Sequence, residues 1–301
     1  TREGYTFGAI GLKIQSEDMA KFGQMLLQKG KWNGKQIVPQ SWVEEATSFQ
    51  INSIDPGNTV PKEFNDWQQG YGYQFWRCRN NGYRADGLGG QFIIVLPEKD
   101  AVVVLTAAAI NTQEELNLVW DNLLPAMQDK PLPEDKKSSA ELAKRIAILA
   151  FPSTTSASPS ALLNRISGKR IEVAQNEAGI QALRISIKNT EAQIVVDRGD
   201  EKYEIMAGLD NWKFSKTKLN TLAGPQRPIQ GLPIQVASKY SWTDATTIQL
   251  TSRFVEESIR SEVWNLRFEN NGTEIKVHFE IRNFVEFMGI NSRMLEGKIV
   301  D

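Results

Sequence analysis

Few side chains in this sequence could act as a nucleophile, a general base or a metal ligand. The one cysteine, Cys78, lies in the apolar-aromatic run 71–79, where a buried thiol is expected. The one histidine, His278, lies in 274–281, where polar and apolar residues alternate and place it on the polar face of a strand. A Ser-His-Asp triad, a multi-histidine metal site and an internal disulfide are therefore not expected.

One serine and one lysine have the spacing Ser-x-x-Lys, which on a helix puts a nucleophile and its base one turn apart. The match is Ser215-Lys216-Thr217-Lys218. About one such match is expected by chance in a chain of this length. Its neighbours are typical of a strand and give no helix start, so the sequence assigns Ser215 no catalytic role.

The composition is that of an ordinary globular protein with room for two domains. The chain has 301 residues and a formal net charge of −1, which does not favour a nucleic-acid partner. No run reaches the roughly 18–20 apolar residues of a membrane-spanning helix. The longest apolar stretches, such as 101–105 and 146–151, have the length of a buried strand or short helix.

Residues 1–128 show a mixed α and β pattern. Ser16 is a candidate N-cap for an amphipathic helix that Gly30 would end, and Asn33-Gly34 is typical of a tight turn. Further elements are expected as a short helix at 42–46, strands at 71–78, 83–87, 92–96 and 101–107, and a closing helix at 113–127. The runs 92–96 and 101–107 predict strands buried on both faces.

Residues 129–160 are predicted to be a linker with a short helix at 140–150, and 161–301 changes to a period of two throughout. Turn signals every 8–12 residues or so indicate an antiparallel barrel or sandwich of about eight strands. The segment 220–233 has little pattern and is expected to be a long loop. The predicted fold class is thus α+β followed by an all-β domain.

The first domain resembles the C-terminal part of β-lactamase-related serine hydrolases, which include penicillin-binding-protein-like and class C-like esterases. The resemblance rests on five segments in the order of that family. They are 11–24 (GLKIQSEDMAKFGQ), 30–43 (GKWNGKQIVPQSWV), 71–73 (YGY), 87–91 (GLGGQ) and 97–105 (PEKDAVVVL). The second domain resembles a lipocalin-like β-domain through Trp212, Trp242-Thr243-Asp244 and 250–256.

The first resemblance implies ester or amide hydrolysis through an acyl-serine. Its Lys-Thr-Gly-like strand is matched by Ala85, Asp86 and Gly87, with the backbone N–H of Leu88 as an oxyanion donor. An alternative register uses Leu88, Gly89 and Gly90, with the N–H of Gln91 as donor. Neither register contains the cation of the family, which favours an ester or amide over a β-lactam. Glycines that serve only a tight strand connection remain a third interpretation.

Four aromatic residues are candidates to line a substrate cleft, although aromatic side chains pack into a core at least as often. They are Trp67, Tyr71, Tyr73 and Trp76. The expected substrate is a small-molecule ester or amide, or a peptide. No metal or cofactor is expected, since the sequence has no metal-ligand cluster and no phosphate-binding Gly-x-x-x-x-Gly-Lys loop.

Two further elements of the family, Ser-x-x-Lys on a helix and Tyr-x-Asn, have no counterpart in this domain. In that family both precede the segment 11–24, so the chain is expected to be a fragment that is inactive alone. Its partner would be the missing N-terminal half, or a second copy bound at the exposed edge of the sheet. The resemblance implies a periplasmic or secreted setting. The alternative is a non-catalytic binding or scaffold protein whose β-domain binds a cell-envelope or small-molecule ligand.

Overall fold

The computed structural model describes residues 12–109, 111–151, 153–157, 162–219, 233–255, 261–272, 274–283 and 293–300. The chain divides into two compact units, Thr1–Asp135 and Lys136–Asp301. This division falls inside the predicted linker 129–160. Of the predicted loop 220–233, only Pro233 belongs to the described residues.

The first unit combines short helices with a four-stranded antiparallel sheet and a separate two-stranded one. Its helices are α1 (Ser16–Leu27), α2 (Gln40–Thr47) and α3 (Thr112–Leu118). Its strands are β1 (Lys31–Trp32), β2 (Lys35–Gln36), β3 (Trp76–Arg77), β4 (Tyr83–Gly87), β5 (Gln91–Leu96) and β6 (Ala101–Thr106). Short 3₁₀ turns span Lys62–Phe64, Asp66–Gln68, Pro97–Lys99 and Leu124–Ala126, and a π-helical turn spans Val119–Leu123.

Helix α1 packs closely on the sheet because its apolar face includes a glycine. A Cβ at Gly23 would lie 2.5 Å from Val102 Cγ1 and 2.8 Å from Ile93 Cγ2, so only a residue without a side chain allows this approach. Gly30 was expected as the first left-handed residue after the helix, but the C-cap is Gln28, so Lys29 (φ +53°) takes that position and Gly30 follows at φ +84°. The start of the helix also differs, because Ser16 is the first helical residue and the N-cap is Gln15, without a side-chain bond.

Two predicted elements are shorter in the structure. The predicted strand 71–78 is reduced to β3, because Gln74 has φ +63° and Gly72 donates to the carbonyl of Phe75, which turns the chain. The predicted closing helix 113–127 remains α-helical only to Leu118 and then continues as the π and 3₁₀ turns.

The sheet has the strand order β3-β4-β5-β6, with antiparallel neighbours throughout. Strand β5 is buried on both faces, as its apolar run predicts: Phe92 and Ile94 pack with α3, and Val95 packs on the α1 side. Strand β6 was expected to be buried on both faces, but residues 101–105 are only half-buried. The reason is its position, because β6 is an edge strand of the described sheet.

The described residues of the second unit form two helices and ten strands. The helices are α4 (Lys136–Ala147) and α5 (Leu163–Ile166). The strands are β7 (Arg170–Val173), β8 (Ala182–Lys188), β9 (Glu191–Asp197), β10 (Lys202–Leu209), β11 (Lys213–Thr217), β12 (Ile234–Trp242), β13 (Thr247–Phe254), β14 (Ser261–Asn270), β15 (Ile275–Asn283) and β16 (Arg293–Val300).

Nine of the ten strands form a closed, mainly antiparallel barrel, which decides between the two predicted architectures. The order is β10-β9-β8-β7-β16-β15-β14-β13-β12-β11, and a short parallel pairing of Gly208 with Lys239 and Leu209 with Tyr240 joins β10 to β12. Nine strands therefore complete the ring, and β11 pairs with the first half of β12. Most neighbours in space are neighbours in sequence, which is the up-and-down architecture of lipocalins.

The barrel interior is filled by side chains. Alternate residues of the strands point inward, and large ones such as Trp242, Trp264, Leu266, Phe268 and Phe279 are almost fully buried. Among the described residues, the interior void beside Trp264 measures about 10 Å³. This is the space of about one water molecule, so a bound lipid chain does not fit there.

Candidate functional site

Strand β4 carries the residues that the sequence predicts as one wall of a hydrolase site. Alternation along the strand directs Tyr83 to the α1 side, and Arg84 and Asp86 to the side of α3. Strand β3 pairs only with Tyr83 and Arg84. The edge of 85–87 opposite β5 consequently has no strand partner among the described residues.

Arg84 is a fully buried cation behind this edge. Its Nε donates to Asp86 Oδ2 at 2.9 Å, and its Nη1 donates to the carbonyl of Asp66 at 3.2 Å. Its Nη2 also lies 2.9 Å from Asp86 Oδ2, but without the alignment of a hydrogen bond. The guanidinium stacks on Trp67 at 4.7 Å from the ring centroid. Arg84 thus fixes strand β4 and offers no exposed positive charge to a substrate.

Asp86 is a half-buried carboxylate at the end of β4. Burial raises its pKa, against the opposing effects of Arg84 and of a hydrogen bond from Trp67. The side chain keeps 14% of its surface exposed. Asp86 therefore remains accessible to solvent while its charge is balanced from inside by Arg84.

The turn from β4 to β5 exposes one residue of the predicted oxyanion wall. Leu88 is 52% exposed, whereas Gly89 and Gly90 are buried and have φ of +78° and +87°. The carbonyl of Gly89 accepts a hydrogen bond from Ala109 N at 3.0 Å, which anchors the turn. Left-handed backbone at two successive positions explains the two glycines.

A carboxylate from α3 lies directly against this turn. A Cβ at Gly90 would lie 1.8 Å from Glu115 Oε2, so no larger residue fits there without displacing Glu115. Glu115 Oε2 is buried and has no hydrogen-bond donor among the described residues. Burial raises the pKa of Glu115. Glu115 is thus a second acidic group, besides Asp86, that packs against this turn.

The two predicted registers differ in how their donor N–H groups are placed. Gln91 is paired on both sides, with Gly87 of β4 and with Thr106 of β6. Since the N–H of a strand residue points toward one of its two neighbours, the Gln91 N–H faces the sheet in either case. Leu88 lies beyond the paired residues. This geometry favours Leu88 over Gln91 as a donor to a ligand.

The four predicted lining aromatics separate into two groups. Trp67 stacks under Arg84, and Trp76 packs edge-on against Tyr71 with centroids 4.7 Å apart, so these three lie around β3 and β4. Tyr73 instead packs on Trp42 of α2 and donates to Glu45 at 2.9 Å. Trp67, Tyr71 and Trp76 are half-buried, and Tyr73 is the most exposed of the four.

The sequence did not single out Asp66, which organises the wall from within. Its carboxylate accepts from Arg79 N, Arg79 Nε, Gln113 Nε2 and Trp120 Nε1, at 2.7–3.0 Å. Burial alone would raise the pKa of Asp66, but these donors outweigh it and lower the pKa. The signal available in the sequence was weak, because Asp66 lies in a polar loop far along the chain from its partners.

The remaining reactive side chains lie where the sequence places them. Cys78 is buried, and burial raises its pKa to about 11. Ser215 lies on strand β11, where its hydroxyl accepts from Met206 N. His278 is on the outer face of β15, 3.0 Å from Glu269. Within the described ranges there is no cluster of three metal-ligating side chains, and no helix long and apolar enough to span a membrane.

A polar groove of about 490 Å³ crosses the outer face of β13–β16. Its centre is a row of cross-strand hydrogen bonds: Gln249 donates to Asn265 at 3.0 Å, and Asn265 donates to Glu280 at 2.9 Å. Arg282 donates to the other oxygen of Glu280. Arg267 and His278 line the same groove. These bonds hold amide and carboxylate groups in fixed orientations on an open surface.

No protein-family model and no curated protein match this chain. Among solved structures, a fatty acid-binding protein from brain tissue of Drosophila melanogaster shares 10% identity, with a TM-score of 0.30 over 45% of this chain and 99% of its own. A luciferase domain from the dinoflagellate Lingulodinium polyedrum shares 10% identity, with a TM-score of 0.33 over 62% of each chain. At these values neither likeness carries an argument, and the barrel rests on its strand pairings alone.

Proposed function

We propose that the first unit forms one wall of a serine hydrolase site, in a protein that cleaves an ester or amide through an acyl-serine. The observation that carries this proposal is the edge of 85–87, which has no strand partner among the described residues and leads directly into the exposed Leu88. A substrate lying along this edge would place its carbonyl oxygen near the Leu88 N–H. The nucleophile and its base would come from another part of the natural protein, so this chain alone is inactive.

In this proposal, the backbone N–H of Leu88 stabilises the oxyanion of the acyl-transfer step. Such donors are effective because they are already oriented before charge develops, and one donor contributes about 10²–10³ in rate. The anchoring of Gly89 by Ala109 and the packing of Glu115 under Gly90 keep the turn in place. Arg84 is a positioning residue, since it acts through Asp86 and the strand.

The charge of this wall favours a substrate without a carboxylate beside the scissile bond. Arg84 is buried and paired with Asp86, and Glu115 adds a second acid. A β-lactam carboxylate would meet these acids without an exposed cation. The proposed substrate is therefore a neutral small-molecule ester or amide, or a peptide bond away from its carboxyl end, in a periplasmic or secreted setting.

The test is covalent labelling of the natural gene product by a serine-reactive fluorophosphonate, combined with its intact mass. A mass above 33.8 kDa with one adduct on a serine outside this chain is expected. Leu88→Pro removes the donor N–H and should lower acylation at least about 100-fold, whereas Leu88→Ala keeps the N–H and should leave it within a few-fold. A mass near 33.8 kDa without an adduct would contradict the proposal.

A partner is part of this proposal, because β6 leaves one edge of the sheet unpaired among the described residues. We expect this edge to be covered by the missing half of the domain or, in the isolated chain, by a second copy. Light scattering coupled to size exclusion should therefore show association of the isolated chain at micromolar concentration. A stable monomer would count against an uncovered edge.

The polar groove favours a second candidate function, a non-catalytic binding protein whose barrel binds a hydroxyl-rich cell-envelope or small-molecule ligand on its outer face. The fixed orientation of Asn265 and Glu280 is what a ligand with several hydroxyl groups requires. Sedimentation with purified peptidoglycan tests this candidate. Asn265→Leu should reduce binding, while Thr251→Val, an outward position of β13 outside the groove, should not. Equal binding of both variants would show that the groove is not the peptidoglycan-binding site.

A further inference from the structure

Two cations of the barrel lie against one tryptophan on the outer surface. Trp212 belongs to the turn between β10 and β11, and Lys239 Nζ lies 5.1 Å from its ring centroid. Arg253 of β13 lies 5.7 Å from the same ring and 4.4 Å from the ring of Phe151. Lys239 and Arg253 are both outward-facing and half-buried. The aromatic rings thus hold two positive charges close together.

Two buried N–H groups of this cluster, one on Trp212 and one on Arg253, lack acceptors in the described part of the chain. Trp212 Nε1 and Arg253 Nε are both buried, and neither has a hydrogen-bond partner among the described residues. Burial lowers the pKa of Arg253, and no neighbouring acid opposes this effect. A buried donor without an acceptor is destabilising, so such a group favours a ligand that can accept from it. Within the part of the chain that the structure describes, Trp212 and Arg253 therefore offer two buried donors beside the positive charge of Arg253.

Asp210, the acidic group that acts on Lys239, is already engaged elsewhere. Asp210 Oδ1 accepts from the hydroxyls of Thr154 at 3.1 Å and of Ser156 at 2.8 Å, and its Oδ2 accepts from Ser156 N at 3.1 Å. Asp210 partly offsets the charge of Lys239, whose pKa is nevertheless lowered by burial and by Arg253. The carboxylate is directed at the linker segment and leaves the guanidinium of Arg253 without an ion pair among the described residues.

We propose that Lys239, Arg253 and Trp212 form a binding site for a small oxyanion, a carboxylate or a phosphate. A guanidinium and an ammonium held on aromatic rings match the oxygens of such a group, and a bound anion offsets the mutual repulsion of the two cations. Phe151 covers one side of Arg253 and limits the size of the anionic group. The site lies outside the polar groove. It makes a small oxyanion the class of ligand that the barrel binds in its role as a binding module.

The experiment follows the indole N–H signal of Trp212, assigned with Trp212→Phe, in ¹H–¹⁵N spectra of the full chain. Sodium phosphate and sodium acetate are titrated separately at constant ionic strength against sodium chloride. A saturable shift that chloride does not produce is expected. A response to phosphate alone assigns the site to phosphate groups, and a response to acetate assigns it to carboxylates.

Variants separate recognition from packing. Arg253→Gln should weaken the affinity at least about tenfold, and Lys239→Gln should weaken it as well. Arg184→Gln, at an exposed arginine of β8 outside both this site and the polar groove, should leave it unchanged. If Arg253→Gln unfolds the barrel, the affinity of Lys239→Gln for the anion decides whether the site exists. A shift equal to that with chloride, or equal affinity in all three variants, overturns the site. Such a failure leaves the peptidoglycan test of the groove unaffected.

Discussion

The indole nitrogen of Trp120 lies 3.0 Å from the buried carboxylate of Asp66, and this bond joins the loop before β3 to the helical segment that closes the first unit. Because Arg79 and Gln113 bind the same carboxylate, three separate segments meet at one charge. The wall formed by Arg84 and Asp86 depends on this junction, since the carbonyl of Asp66 also binds Arg84.

Replacing Asp66 should therefore destabilise the first unit more than any surface change. Asp66→Ala leaves Trp120 without an acceptor, leaves Gln113 with only its weaker bond to Asn117, and leaves Arg79 without its counterion. A loss of about 3–5 kcal/mol in the free energy of unfolding is therefore expected. Urea unfolding followed by tryptophan fluorescence measures it. Asp121→Asn, an exposed acid on the same segment, should change stability by less than about 0.5 kcal/mol. Similar losses in both variants would contradict the role of Asp66.

The pH dependence of stability should reveal the same carboxylate. Hydrogen bonds hold the pKa of Asp66 below its ordinary value. Its contribution is thus fully present above the unfolded pKa of about 3.9 and is lost as the pH falls through the folded pKa.

The half-buried Asp86 has a raised pKa, which changes stability with pH in the opposite direction, so the comparison must isolate Asp66. Between pH 5 and 3, the wild-type chain should lose more stability than Asp66→Asn in urea titrations. Identical slopes would show that Asp66 has no depressed pKa.

The contact between α1 and the sheet predicts a cost for a substitution that normally favours a helix. Gly23→Ala gains about 1 kcal/mol of helix propensity but forces a Cβ to within 2.8 Å of side chains of both β5 and β6. Overpacking of this kind costs about 1–3 kcal/mol, so a net loss of stability is expected in thermal unfolding. Lys21→Ala, on the exposed face of α1, serves as the control. A stabilised Gly23→Ala protein would show that the helix can move away freely.

Asp210 should control the attachment of the linker segment to the barrel. Asp210→Ala removes the acceptors of Thr154 and Ser156 and puts alanine at φ +59°. Hydrogen exchange of the amides in 153–157 should become at least about tenfold faster, since a bond to a charged group contributes about 1.5–3 kcal/mol. Asp210→Asn keeps one acceptor and tolerates the left-handed backbone, so a smaller increase is expected. Unchanged exchange in Asp210→Ala would locate the anchor elsewhere.

The sequence by itself determined those features that depend on local periodicity and turn chemistry. Period-two alternation placed His278 on an outer face and the residues around it in a β-domain, and Gly30 and Asn33-Gly34 appear in the left-handed conformations that glycine and asparagine favour. The resemblance in 87–91 also drew attention to Leu88, which the structure finds exposed beyond the paired strand.

Only the tertiary structure decided the features that depend on distant residues. The half-burial of β6 follows from its edge position, and the choice of barrel over sandwich follows from the pairing of Gly208 with Lys239. Asp66 contacts Trp120, which is 54 positions away in the sequence. Trp212 contacts Arg253, which is roughly 40 positions away. Hydrogen bonds and charge pairs of this separation leave no periodic signal in a single sequence, because their partners are selected by folding in three dimensions.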